Sequence, residues 1–178
     1  ASDVYKRQIL DNTANLNASG TSTGGAISFT VTNGIEIASN ITSTGSSSVN
    51  NGAVSITIGS SSAFTPFDGK VTGIINAGTF TKSGAGTLML SGQNIYTGLT
   101  TISSGVLNIQ NSSALGTSAG STSITSGAAL EIQGGINITS ESITLNGTGV
   151  SSTGALRSIS GDNIWGGTIS LGSSSEIA

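Results

Sequence analysis

The residues able to do chemistry in this chain are few and scattered. The 178 residues include no His and no Cys. A serine or cysteine triad of the usual kind therefore has no base or no nucleophile, and a thiolate or imidazole metal site has no ligands. The acids outside the first eight residues are Asp11, Glu36, Asp68, Glu131, Glu141, Asp162 and Glu176. Acid–base cleavage of a glycoside needs two carboxylates facing each other across the bond, and a β-helical lyase needs an acidic calcium cluster. Only Glu131 and Glu141 are placed to approach each other across neighbouring repeats, and a solvated turn is the simpler reading of both. The 33 serines are background rather than nucleophiles. The reading is of no catalytic residues, no cofactor and no metal.

Four further features invite binding chemistry, each with a plainer reading beside it. The segment FTPFDGK, from Phe64 to Lys70, holds the only Pro and two of the four Phe; a turn whose rings cover a coil edge is favoured over a protruding binding loop. Tyr96 and Trp165 have rings that stack on sugars, but Tyr96 sits inside a repeat and Trp165 beside Gly166-Gly167, so packing is expected. Asn-x-Ser/Thr triplets such as Asn40-Ile41-Thr42 follow from composition. The pair Thr100-Thr101 and others like it suggest ice binding, which needs a regular Thr-x-Thr array on one face, and the spacing along the chain is too irregular to supply one.

The elements that must position these residues are strands. Ser, Thr, Asn and Gly number 33, 24, 14 and 27, and only 7% of residues are charged. Disorder goes with high charge and few β-branched residues, whereas Ile, Val and Thr here suit a pleated surface. Period-two alternation marks Ile27–Val31, Ile35–Ile37, Val54–Ile58, Leu88/Leu90, Ile102, Leu107/Ile109, Leu130–Ile132, Ile136–Ile138, Ile143–Leu145, Leu156–Ile159 and Ile169–Leu171. Turn residues such as Asn33-Gly34, Asn51-Gly52 and Gly59-Ser60 separate them. No stretch has the 3.6-residue period of a helix, and no apolar run approaches the ~20 residues of a membrane-spanning helix.

An internal repeat runs through the middle. Ser-Gly, a few small residues and an aliphatic–polar–aliphatic triplet recur as SGAGTLML from Ser83, SGVLNI from Ser104 and SGAALEI from Ser126. Leu88, Leu107 and Leu130 are then 19 and 23 residues apart, the length of one β-helix turn of three short strands. Antiparallel hairpins of ~10 residues, as in a sandwich or barrel, fit the same advance. Few two-residue Asn-Gly loops and no aromatic core pair weigh against them. One such coil cannot cover its own open faces, so the units must stack, and isolated ends are expected to fray or aggregate.

The net charge is −3, and the cations Lys6, Arg7, Lys70, Lys82 and Arg157 are dispersed except for the first two. Nucleic-acid binding needs clustered cations, so no nucleic-acid partner is expected. Ala1–Gln8 stands apart: Ser2–Gln8, SDVYKRQ, resembles a translated sequencing-library adapter, and residues 1–8 are read as an artefact rather than a mildly basic segment. The remaining divisions are divergent coils over 9–79, a signature repeat over 80–116 and further coils over 117–178.

The signature segment resembles the autotransporter-associated β-strand repeat, also called the passenger-associated transport repeat. The resemblance rests on Thr81-Lys82, Gly84, Gly86-Thr87-Leu88, Leu90, Gly92, Asn94, Tyr96-Thr97-Gly98, Thr100-Thr101, Gly105, Leu107, Ile109 and Ala114-Leu115-Gly116. Phe80 where an aliphatic is usual, and Ile95 and Leu99 around the NxYTG element, depart from the pattern. The resemblance implies a right-handed parallel β-helix, open at both ends, within the passenger of a bacterial autotransporter or similar surface protein. It implies a cell-surface, outer-membrane or secreted location, and export through a C-terminal outer-membrane β-barrel of the same protein. The repeat's implied role is structural, aiding translocation and extracellular folding. An adhesin contact with host or polysaccharide, and a polysaccharide lyase or hydrolase, are the alternatives. The absence of Cys and the low charge are compatible with threading through a pore.

Overall fold

The computed structural model describes residues 8–10, 16–19, 24–31, 34–45, 51–59 and 67–178. The adapter-like segment up to Arg7, Asp11, Asn33, Ser60 and the Phe64–Pro66 part of the aromatic loop lie outside the described residues.

Short strands separated by turns wind into seven coils. The first three carry three strands each: β1 (Gln8–Leu10), β2 (Leu16–Ser19) and β3 (Ile27–Val31); β4 (Ile35–Ile37), β5 (Ile41–Thr44) and β6 (Val54–Ile58); β7 (Gly69–Val71), β8 (Ile75–Asn76) and β9 (Phe80–Ser83). The fourth and fifth carry two: β10 (Thr87–Leu90) and β11 (Thr100–Ile102); β12 (Gly105–Ile109) and β13 (Ser121–Ile124). The sixth and seventh return to three: β14 (Ala128–Gln133), β15 (Asn137–Ile138) and β16 (Ser142–Gly147); β17 (Leu156–Ser160), β18 (Ile164–Trp165) and β19 (Ile169–Ser175). A 3-10 turn at Val150–Ser152 joins the sixth coil to the seventh.

Every named pairing between these strands is parallel. The first strands of the coils form one seven-stranded sheet, β1-β4-β7-β10-β12-β14-β17, and the last strands another, β3-β6-β9-β11-β13-β16-β19. The middle strands form β2-β5-β8 and β15-β18, interrupted at the fourth and fifth coils. These stacked parallel sheets are those of a parallel β-helix, and they exclude the hairpin alternative, because hairpins pair antiparallel. The internal repeat has a direct structural meaning: Leu88 pairs with Leu107, and Leu107 with Leu130.

Alternation along each strand sorts side chains into inward and outward rows. Inside the first sheet run Leu88, Leu107 and Leu130, then Leu90, Ile109 and Ile132, all buried. Inside the last sheet run Ile56, Lys82, Ile102 and Ile124. Outside the first sheet the chain places its charges: Glu36, Lys70, Met89, Asn108, Glu131 and Arg157 follow one another in register. Lys70 Nζ lies 3.5 Å from Glu36 Oε1, and Arg157 Nη2 lies 2.8 Å from Glu131 Oε1.

Outside the last sheet the row is Ser28, Ser55, Thr81, Thr101, Ser123, Thr144 and Ser170. Every member is a hydroxyl. The intervals between them along the chain vary from 20 to 27 residues, so their alignment is invisible in the linear spacing. Loops between coils absorb the variation in length and align this mixed Ser and Thr row, although no strand presents the outward Thr-x-Thr pair.

Candidate functional site

Two consecutive coils lacking a middle strand would leave backbone amides and carbonyls of their neighbours unpaired, and buried unpaired groups are costly. The segment Gln93–Thr97 resolves this with a side chain. Asn94 Oδ1 accepts from the Ile75 backbone N–H at 2.8 Å, and Asn94 Nδ2 donates to Ala114 O at 2.6 Å. One buried amide thus ties the third coil to the fifth. Its own backbone N–H donates to Ser113 O at 3.1 Å. An amide is the side chain suited to the position, since it offers an acceptor and a donor on one planar group.

Tyr96 fills the space beneath. Its ring is buried and lies 5.8 Å from the Phe80 ring, the planes 29° apart. Its hydroxyl is 2.8 Å from Thr100 Oγ1 and donates to Ala114 O at 3.4 Å. Burial pushes the phenol well above its ordinary value, with the Thr100 hydroxyl acting against that shift and the Glu141 charge adding to it. Tyr96 is therefore a packed, neutral hydrogen-bonding group, and the Phe80–Tyr96 pair corrects the sequence reading, which found no aromatic core pair. Gly116, at φ +81°, passes directly against Tyr96, where a Cβ would meet the ring at 2.7 Å.

Lys82 is the departure from sequence expectation. It occupies an inward position in β9, fully buried, between Ile56 and Ile102 in register. Its Nζ donates to Gly84 O at 2.7 Å and Ser104 O at 2.8 Å, closing the two glycine turns that end the last strands of the third and fourth coils. Gly84 and Gly105 adopt φ +77° and +67° there. Burial lowers the ammonium to about 8, partly offset by the Asp68 charge. Asp68 Oδ2 in turn accepts from the Thr87 N–H at 2.7 Å.

The remaining signature positions are structural in the same sense. Leu88, Leu90, Leu107, Ile109 and Ala114 are fully buried, and Leu115 nearly so. A Cβ on Gly86, Gly92 or Gly98 would strike a backbone carbonyl of the preceding coil, at Gly59, Gly73 and Gly78 respectively. Thr100 faces inward and Thr101 outward, while Thr97 is exposed.

Glu131 and Glu141 do not form a dyad. Glu131 belongs to the outer face of the first sheet, held by Arg157 and by Asn108 Nδ2 at 2.9 Å. Glu141 is 5% exposed and accepts from Thr122 Oγ1 at 2.8 Å. Burial raises its carboxyl, with the Thr122 hydrogen bond opposing. The solvated-turn reading thus fails for Glu141, whose flanking sequence SES reads as polar and gives no sign of an inward position. Trp165 packs against the core cluster.

Above the strand gap lies an open cleft of about 380 Å³. Ile95 and Leu115 form apolar parts of its wall, and Gln93, Ser113, Thr117 and Glu141 polar ones. No group of three or more His, Cys, Asp or Glu residues suited to a metal occurs among the described residues.

Fold and site together define a repeat-built parallel β-helix whose central coils are stitched by an Asn–Tyr–Lys set. Residues 80–109 match the family model of the Passenger-associated-transport-repeat. The match covers β9 to β12, and Ala114-Leu115-Gly116, which complete the packing around Tyr96, lie beyond it. Comparison with curated proteins and with solved structures returned no match.

Proposed function

We propose that this chain is a structural segment of an exported bacterial passenger protein, and that its central coils promote outer-membrane translocation by folding firmly once outside. The observation that carries the reading is that the matched repeat coincides with the stitched coils. Residues 80–109 supply Lys82, Asn94 and Tyr96, which tie successive coils before any distant part of the chain is needed. A coil locked locally opposes back-sliding through a pore, because a stack can nucleate at one point and propagate to its neighbours. The natural partner in this reading is an outer-membrane β-barrel of the same protein, and the location is the cell surface or the medium. The repeat is a structural one rather than an enzyme family, and no carboxylate pair contradicts that among the described residues.

The test joins the chain to an outer-membrane β-barrel translocator and measures protease-accessible passenger on intact cells. Asn94→Leu and Tyr96→Ala are expected to lower surface display several-fold with passenger retained in the periplasm. Undiminished display of both variants would overturn the translocation role.

The cleft above the strand gap favours one second reading, an adhesin contact with a neutral saccharide, since it combines apolar walls with amide and hydroxyl groups. Binding on a glycan array that is lost in Ile95→Asp would support it; array signals unchanged by that substitution would count against it.

A further inference from the structure

The outer face of the last sheet is a two-dimensional hydroxyl lattice. Its first row is the seven-coil series from Ser28 to Ser170. Thr30, Thr57 and Ser83 form a second row two residues along. Ser103 and Thr125 extend it to the fifth coil, their backbone N–H groups donating to Lys82 O and Ile102 O of the preceding coils, and Asn146 and Gly172 stand at the following positions of the sixth and seventh. Members of a row are ~4.8 Å apart from strand to strand, the two rows are about 6.6 Å apart from residue i to i+2, and the first row runs roughly 29 Å. Neighbouring hydroxyls interact across coils, as Thr57 Oγ1 and Ser83 Oγ do at 2.7 Å. A hydroxyl has one proton and two lone pairs, so each member keeps hydrogen-bonding capacity directed outward.

Charge is segregated away from this lattice. Glu36, Lys70, Glu131 and Arg157 occupy the outer face of the first sheet, and Lys82 and Glu141 point inward. No aromatic ring and no charged side chain stands in either row. Protein partners are held by buried aromatic and Arg anchors, and anionic polymers by cations; neither anchor is available here. A soluble glycan must displace water from each hydroxyl and regains about the same hydrogen bond, so the net gain per contact is small. Water already held in a lattice is different. A rigid hydroxyl grid meets it with many weak contacts at once and with its ordering cost met in advance by the fold.

We infer that this face binds ice, with the Ser/Thr rows of the last sheet ordering water into the growing crystal plane. The inference stands apart from the export reading and does not depend on it.

The test applies the full chain to ice crystals held just below their melting point, and to recrystallisation in a frozen solution. Faceted crystals, a gap between melting and growth temperatures and arrested recrystallisation are expected. Thr101→Arg and Thr144→Lys, each an outward position, should abolish all three while leaving circular dichroism unchanged. Two variants in different coils keep the test intact should one misfold, and Lys70→Ala on the charged face should retain activity. Round crystals growing as in buffer, or array variants that shape ice as well as the parent chain, would overturn the proposal. Capture on crystalline cellulose without ice shaping would also overturn it and assign the lattice to a solid polysaccharide.

Discussion

Lys82 shows how a single residue can carry a stacked fold and set its response to pH. The polar run Thr81-Lys82-Ser83 does not mark Lys82 as an inward position between Ile56 and Ile102. Residue type argues against it as well, and the reason for the exception lies in two carbonyls, Gly84 O and Ser104 O, that only the folded turns bring together. The ammonium is lowered from 10.5 to about 8 by burial. Between those values the unfolded chain holds a proton that the native chain has released, so stability rises with pH across that window. Tyr96 acts in the opposite sense above its unfolded value of 10.0, because the native phenol keeps a proton that the unfolded one loses. The clean interval is therefore pH 8 to about 9.5. Urea midpoints should increase across it in the parent chain, and the increase should vanish in Lys82→Met. An identical slope in both chains would assign the effect to another group.

At the scale of elements, strands with two or more inward aliphatics were legible, and those with fewer mostly were not, Thr100–Ile102 being an exception. Val54–Ile58 and Leu130–Ile132 announce themselves by alternation. Gly69–Val71, Ile75–Asn76 and Ser121–Ile124 do not, because two to four residues with one aliphatic carry no measurable period; their neighbours in register make them strands. The gap in the middle sheet was equally hidden, since an Asn standing in for a strand looks like any loop Asn. Its energetic role can be stated. Asn94→Leu keeps the branched shape but leaves the Ile75 N–H without a partner and the Ala114 C=O with only the long Tyr96 hydrogen bond. At about 1–3 kcal/mol for a stranded buried group, the loss set by the Ile75 N–H is roughly 1–3 kcal/mol. Equilibrium unfolding of Asn94→Leu against the parent chain measures it, and a change below about 0.5 kcal/mol would show that water or backbone adjustment replaces the side chain.

At the scale of the whole molecule, the chain is a linear stack: each coil pairs with the coils before and after it, and parallel pairing runs through all seven in the first and last sheets, with register shifts at Ile132/Gln133 and Leu145/Gly147. The sequence conveyed this through the advance of Leu88, Leu107 and Leu130, but not the hydroxyl lattice, whose members are aligned by pairing while loops of different length separate them. A linear stack also predicts how damage spreads. Leu107 is fully buried and pairs with Leu88 and Leu130, so Leu107→Ala should cost about 2–5 kcal/mol through lost contacts and an incompletely filled cavity. In a compact domain that cost would appear at every amide that exchanges through global unfolding. In a stack with nearest-neighbour coupling it should be confined. Native-state hydrogen exchange is expected to show faster exchange in β10, β12 and β14, with β4 and β6 of the second coil unchanged. A uniform loss of protection from the second coil to the seventh would instead make the molecule a single cooperative unit. The stitching by Lys82 and Asn94 would then serve global rather than local stability, and the proposed coil-by-coil folding during export would lose its physical basis.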